Sequence, residues 1–118
     1  ITKFICYHAA KTANEIDAVA ITTMTHSGYT GFQLSSWRPH CNILVFTSNK
    51  RIVSRLNLLW GVKAYFYNKE LSTDKTIENI NKILTTNKYV KTGDMVINLA
   101  AMPVKAKGMV NTLRISEI

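Results

Sequence analysis

Apolar residues recur at two different periods along this chain, and stretches of one period alternate with stretches of the other. From residue 1 to 17, Ile1, Phe4, Ile5, His8, Thr12, Ala13 and Ile16 fall at spacings of three and four. That spacing predicts an amphipathic helix with this stripe turned inward. At about 18–24 the β-branched Val19, Ile21, Thr22 and Thr23 suit a buried strand. Residues 28–36 read as a short helix with Phe32 and Leu34 as its apolar members. Pro39 ends it, because proline disfavours the helical region for the residue before it, here Arg38. The apolar run Asn42–Phe46 is a second strand. Thr47, Ser48 and Asn49 offer N-caps to a helix over about 49–60, with Ile52, Val53, Leu56 and Leu59 on one face and Gly61 as its stop. Lys63–Tyr67 is a third strand. Ser72 or Thr73 caps a helix carrying Ile77, Ile80, Ile83 and Leu84, and Lys91–Asp94 is a turn. Met95–Ala100 and Thr112–Ile115 are the last strands, joined by Ala101–Asn111.

Strands alternating with helices predict an α/β fold of three layers, α/β/α. Its centre is a five-stranded, mostly parallel sheet, mixed because the last strand has no crossover helix before it. Ligands of such sheets sit beyond the carboxyl ends of the strands. The loop Thr25, His26, Ser27, Gly28, Tyr29, Thr30 opens a helix at that edge and supplies hydroxyls, a glycine and backbone N–H groups. The first N–H groups of a helix lack intrahelical partners and lie at the positive end of its dipole, so the loop is a candidate phosphate cradle. The plainer alternative is a βα turn in which Thr25 or Ser27 only caps the helix. The segment Thr47–Lys50 and the loop bearing Lys105 and Lys107 are expected on the same edge.

Composition narrows the class. With 118 residues, 47% hydrophobic and 19% charged, the chain suits one packed domain. No repeat, linker or low-complexity segment stands out, and no apolar run approaches the ~18–20 residues that span a membrane. There is no initiator Met, and Ile1 already belongs to a helical pattern, so the sequence reads as an excerpt of a longer chain. Cys6 and Cys41 make neither a disulfide framework nor a metal set and read as reduced, buried thiols of a cytoplasmic protein. A net charge of +8 allows nucleic acid, acidic membranes or phosphorylated metabolites as partners. The basic residues are scattered rather than clustered, which argues against a nucleic-acid tail, and neither nucleic acid nor a membrane is expected as a partner.

Catalytic signatures are missing. Ser27 lacks the flanking glycines of a nucleophile elbow, and His26 beside it in sequence is no evidence of a base. Cys6 and His8, two apart on a helix, point about 200° apart and cannot share an ion, which removes Cys6, His8, His40 and Cys41 as a metal set. The acids form no close pair, and no phosphate-binding motif of the Walker or dinucleotide type is present. Trp60, ending an apolar helix, is expected in the core, and Tyr65 and Tyr67 in strand packing. Lys105 and Lys107 are either solvated or reach a phosphate.

Ser27–Thr30, Trp37–Pro39, Ile43–Thr47, Arg55–Val62, Gly93–Val96, Met102–Val104 and Gly108–Asn111, in this order and spacing, resemble the C-terminal domain of bacterial-type pyruvate kinase over essentially the whole chain. The resemblance implies a regulatory α/β domain that follows a catalytic (β/α)8 barrel, binds an allosteric effector and helps build a tetramer. The parent enzyme would transfer phosphate from phosphoenolpyruvate to ADP, giving pyruvate and ATP. Its magnesium and potassium sites would lie in the barrel, so this domain would hold no cofactor and be inactive alone. The resemblance places the effector phosphate on Thr25–Thr30, under a loop Pro103–Gly108 in which Lys105, Lys107 and Gly108 close over it. The sequence departs from the family pattern at Tyr29, at Met109-Val110, and around Leu71–Glu78, where the Trp and Arg that hold a second phosphate are missing. These departures speak against fructose 1,6-bisphosphate and leave open a monophosphate, such as a sugar phosphate or AMP, or no effector. The competing reading is a stand-alone, non-catalytic module for a small phosphorylated metabolite.

Overall fold

The computed structural model describes residues 1–69, 73–101 and 110–118. The order is α1 (Thr2–Glu15), β1 (Ala20–Met24), α2 (Tyr29–Ser36), β2 (Asn42–Thr47), α3 (Lys50–Leu56), β3 (Val62–Phe66), α4 (Thr73–Thr86), β4 (Met95–Ala100) and β5 (Thr112–Glu117). The strands form one sheet in the order β3-β2-β1-β4-β5. β1 pairs in parallel with β2 and with β4, β2 in parallel with β3, and β5 runs antiparallel to β4. The fold is the mixed α/β/α arrangement that the alternation of periods implies.

Alternating side chains divide the core. Ile21, Ile43, Val45 and Ile97 meet α1, α2 and α3 through Cys6, Ala9, Ala13, Leu34, Ile52 and Leu56. Ala20, Leu44, Phe46 and Val96 face the other way, against Ile80 and Leu84 of α4. The parallel strands are near-continuous apolar runs because they are covered on both faces. On the α4 side Tyr65 and Tyr89 share a hydrogen bond between their hydroxyls. Among the described residues no helix is long and apolar enough to cross a membrane.

Several sequence expectations are corrected. The stripe on α1 is rotated: Ile1 and Phe4 are exposed, and the buried face is Cys6, Ala9, Ala10 and Ala13. Small residues let α1 lie close to α2 and the sheet. Phe4, His8, Tyr7 and Trp37 instead form a chain of edge-to-face rings on the surface, with centroids 4.4–5.1 Å apart. Phe32 is likewise exposed.

Helix α3 stops at Leu56, four residues short of the expected end. Asn57 explains this: its amide donates to Val53 O at 3.1 Å, and its Oδ1 accepts from Ala64 N–H at 2.9 Å, tying the chain to β3. Leu58 and Leu59 follow in tight turns that bond Arg55 O and Leu56 O. Gly61 is thus a turn residue before β3, not the C-terminal stop of α3. Trp60 is 47% exposed rather than core, with the Arg38 guanidinium 4.8 Å from its ring centroid. Arg38, at φ 49°, occupies the left-handed position after α2, its N–H donating to Ser35 O at 3.1 Å. Pro39 disfavours the helical region for Arg38, and the left-handed conformation Arg38 adopts closes the helix end. Cys41 is half-buried, while Cys6 is fully buried. Ser72 as a cap lies outside the described residues.

Candidate functional site

The loop 25–30 leaves the carboxyl end of β1 next to that of β2, since Met24 is paired with Phe46. Thr25 N–H continues the ladder to Phe46 O at 3.0 Å. From there the loop is shaped by its own hydroxyls. Thr25 Oγ1 accepts Gly28 N–H at 3.0 Å, and Ser27 Oγ accepts Tyr29 N–H at 3.3 Å. These are local side-chain turns, and they leave each hydroxyl hydrogen able to donate outward. Gly28 caps α2 at φ 90° and makes no side-chain cap bond. Among the described residues, the N–H groups of His26, Ser27, Thr30 and Gly31 meet no protein acceptor.

The second loop on this edge, 47–50, buttresses the first. Thr47 Oγ1 accepts Asn49 N–H at 3.0 Å, and Asn49 Oδ1 accepts Arg51 N–H at 3.1 Å as the N-cap of α3. Asn49 Nδ2 reaches across to His26 O at 3.4 Å. The expected juxtaposition of Thr25–Thr30 with Thr47–Lys50 is therefore present. Thr25 is half-buried, Gly28 and Thr30 are buried, and His26, Ser27 and Tyr29 are exposed. Lys50 turns away, its ammonium 4.9 Å from the Phe66 ring centroid. Lys105, Lys107 and Gly108 lie outside the described residues, although β4, which leads to them, ends at Ala100 on the same edge.

Sequence reading missed what adjoins the loop. An open groove of about 520 Å³ runs between α2 and α3. Ser27 and Gly28 line its loop end, and Tyr29 and Arg55 its rim. Phe32, Ile52, Leu56 and Leu59 supply apolar walls. The helices approach closely because of two glycines. A Cβ on Gly28 or on Gly31 would meet Leu56 Cδ2 of α3 at 3.2 Å, and one on Gly31 would also meet Val45 Cγ2 of β2 at 3.1 Å. The stretch of chain that builds the groove carries charge of one sign: no Asp or Glu occurs between Asp17 and Glu70, and Arg55 lines the groove itself. That gap in acids was the available signal for Arg55.

The arrangement offers binding chemistry. Ser27 Oγ faces a backbone N–H rather than an imidazole. His8 packs on Phe4 and Tyr7, and His40 N–H bonds Asn14 Oδ1 at 3.0 Å. Among the described residues no three His, Cys, Asp or Glu side chains gather to hold a metal. Burial pushes the thiols of Cys6 and Cys41 up from 9.0 to about 11, so neither is an activated nucleophile.

Comparison with known proteins gives one answer. Residues 3–116 match the family model for the pyruvate kinase alpha/beta domain. The pyruvate kinase of Lactobacillus delbrueckii subsp. bulgaricus is 30% identical over 118 residues, covering 100% of this chain and 20% of its own length. That of Geobacillus stearothermophilus is 34% identical over 122 residues, with the same coverage of 100% and 20%. In structure, a pyruvate kinase from Cryptosporidium parvum superposes with a TM-score of 0.87 at 24% identity, covering 99% of this chain and 22% of that one. The chain thus spans about a fifth of the length of these relatives. It belongs to the pyruvate kinase alpha/beta domain family.

Proposed function

We propose that this chain is the effector-binding and oligomerisation domain of a cytoplasmic, glycolytic pyruvate kinase. The catalytic transfer from phosphoenolpyruvate to ADP belongs to a barrel outside these residues. The effector is a phosphorylated small molecule whose phosphate rests on Thr25–Thr30. One observation carries the reading: Thr25, Ser27 and Asn49 together hold the loop open at the α2 N-terminus, with backbone N–H groups unpaired by the described residues. Such a loop is already arranged for an anion and needs little ordering on binding. Lys105 and Lys107, which follow β4 in sequence, would add charge to it.

Regulation works by population shift. The effector biases the quaternary arrangement it binds better, by that difference in affinity alone, typically about 1–3 kcal/mol. Thermal unfolding against ribose 5-phosphate, glucose 6-phosphate, AMP and fructose 1,6-bisphosphate tests the reading. A ligand at 100 times its Kd stabilises by about 2.7 kcal/mol. Stabilisation by at least one monophosphate, abolished by Thr25→Val with Ser27→Ala, supports the site. No stabilisation by any of the four contradicts it.

A further inference from the structure

Aromatic rings gather on the α4 face of the sheet, where β3 meets the segment after α4. Phe46 stacks on Tyr65 with centroids 5.6 Å apart and meets Tyr67 edge-on at 6.0 Å. Tyr65 in turn meets Tyr89, with centroids 6.3 Å apart and planes at 69°, and the two hydroxyls are hydrogen-bonded to each other. At that centroid distance the rings incline towards each other rather than lying end to end, which brings together the carbons beside the two hydroxyls. Both phenols are half-buried, within reach of a small solute. Tyr65 is fixed by its pairing with Phe46 in the ladder, and Tyr89 by its N–H bond to Leu84 O at 3.0 Å. Among the described residues this is the one ring contact between two tyrosines. Tyr7 meets His8 and Trp37, and the Tyr67 hydroxyl accepts from Asn79 Nδ2 at 3.0 Å. Tyr29 stands exposed at the groove rim.

Two phenols in contact are arranged for oxidative coupling. Burial, and then the bond to Tyr89, push the Tyr65 phenol up from 10.0 to about 12, so near neutral pH its proton leaves together with an electron. The hydroxyl already bonded to it is the first acceptor on that proton's way to water. We infer that Tyr65 and Tyr89 are an oxidation-sensitive pair, which a one-electron oxidant joins into an intrachain dityrosine that staples β3 to the segment after α4. Each ring gives one electron to the oxidant and its hydroxyl proton to water. The two phenoxyl radicals couple through a bond between the carbons ortho to their oxygens. Each of those carbons then releases its hydrogen as a proton, and each oxygen takes one up, which restores both phenols. In sum two electrons and two protons leave, two equivalents of oxidant are reduced, and no atom is added. Contact favours this coupling over one between molecules, because partners held together react as if at very high concentration. The pair lies on the α4 face, so this chemistry is independent of the phosphate reading of Thr25–Thr30.

Photo-oxidation of the dilute protein with ruthenium(III) tris-bipyridine, generated by light and persulfate, tests it. After trypsin, peptide 64–69 is expected joined to peptide 89–91, lighter than their sum by two hydrogens, with fragmentation placing the link on Tyr65. The link should be absent in Tyr65→Phe and in Tyr89→Phe, which keep the rings and hence the packing, and present in Tyr7→Phe and Tyr29→Phe. It closes the chain between positions 24 apart, which restrains the unfolded state, so the linked protein should unfold about 5–10 °C higher. Dityrosine formed only between chains, a link through Tyr67, or an intrachain link that persists in Tyr89→Phe overturns the inference. An unfolding midpoint unchanged by the link overturns the staple.

Discussion

Asn98 and Thr22, facing each other on the paired strands β4 and β1, are joined by a 2.7 Å hydrogen bond from Nδ2 to Oγ1 in the middle of the sheet. The same amide nitrogen reaches Asn81 Oδ1 of α4 at 3.2 Å, and Ser116 of β5 donates to Asn98 Oδ1 at 2.7 Å. Four elements are thus fastened through one buried side chain. Such a network is stabilising only while complete, since each orphaned group keeps its desolvation cost. Asn98→Ala is expected to lower stability by about 2–4 kcal/mol, from lost partners and a cavity together. Urea unfolding measures it, and a loss below about 0.5 kcal/mol, the size of an ordinary surface substitution, contradicts the network's role.

Gly28 is the hinge on which the loop enters α2. Its φ of 90° suits glycine, and an added methyl would press on Leu56 Cδ2 at 3.2 Å. Gly28→Ala should therefore cost about 1–2 kcal/mol in unfolding free energy, and it should weaken phosphate binding by distorting the loop. Stability equal to the parent would mean that the loop is not held at this angle.

Asn49 serves two ends at once, capping α3 and bracing the His26 carbonyl. Asn49→Ala should cost about 1 kcal/mol as a lost cap. Asn49→Ser keeps a neutral cap acceptor but removes the amide donor to His26. The brace predicts that Ser restores stability without restoring anion affinity. Full recovery of both in Asn49→Ser contradicts the brace.

Alkaline pH should loosen the fold through its thiols. Burial opposes the thiolate and pushes Cys6 and Cys41 up to about 11 in the folded protein, against 9.0 ordinarily. Above pH 9 the unfolded chain loses protons that the folded chain keeps. The stabilisation is complete below pH 9 and fades as pH rises towards 11, and Cys6→Ala should flatten that slope. A stability curve flat from pH 9 to 11, or one that Cys6→Ala leaves unchanged, rules the mechanism out.

Sequence pattern was enough wherever large side chains, turn residues and chain connectivity agreed. Met95–Ala100 is an apolar run behind the Lys91–Asp94 turn, and its bounds were readable to the residue. The meeting of loops 25–30 and 47–50 follows from parallel pairing of β1 with β2. Where small residues make the contact, the pattern misled. Ala9, Ala10 and Ala13 bury α1, while the bulk of Ile1 and Phe4 drew the stripe to the wrong face. Trp60 has the weight of a core residue, but Asn57 ends α3 early and leaves Trp60 at the surface under Arg38. The groove was invisible in one dimension because Gly28, Gly31 and Leu56 create it only when α2 and α3 meet.

Amide-resolved NMR titration with inorganic phosphate and ribose 5-phosphate tests the central claim most directly. The account predicts saturable shifts centred on the N–H groups of His26, Ser27, Thr30 and Gly31, lost in Thr25→Val with Ser27→Ala. Shifts that spread evenly over surface lysines, or none at the carboxyl edge of β1, would contradict it.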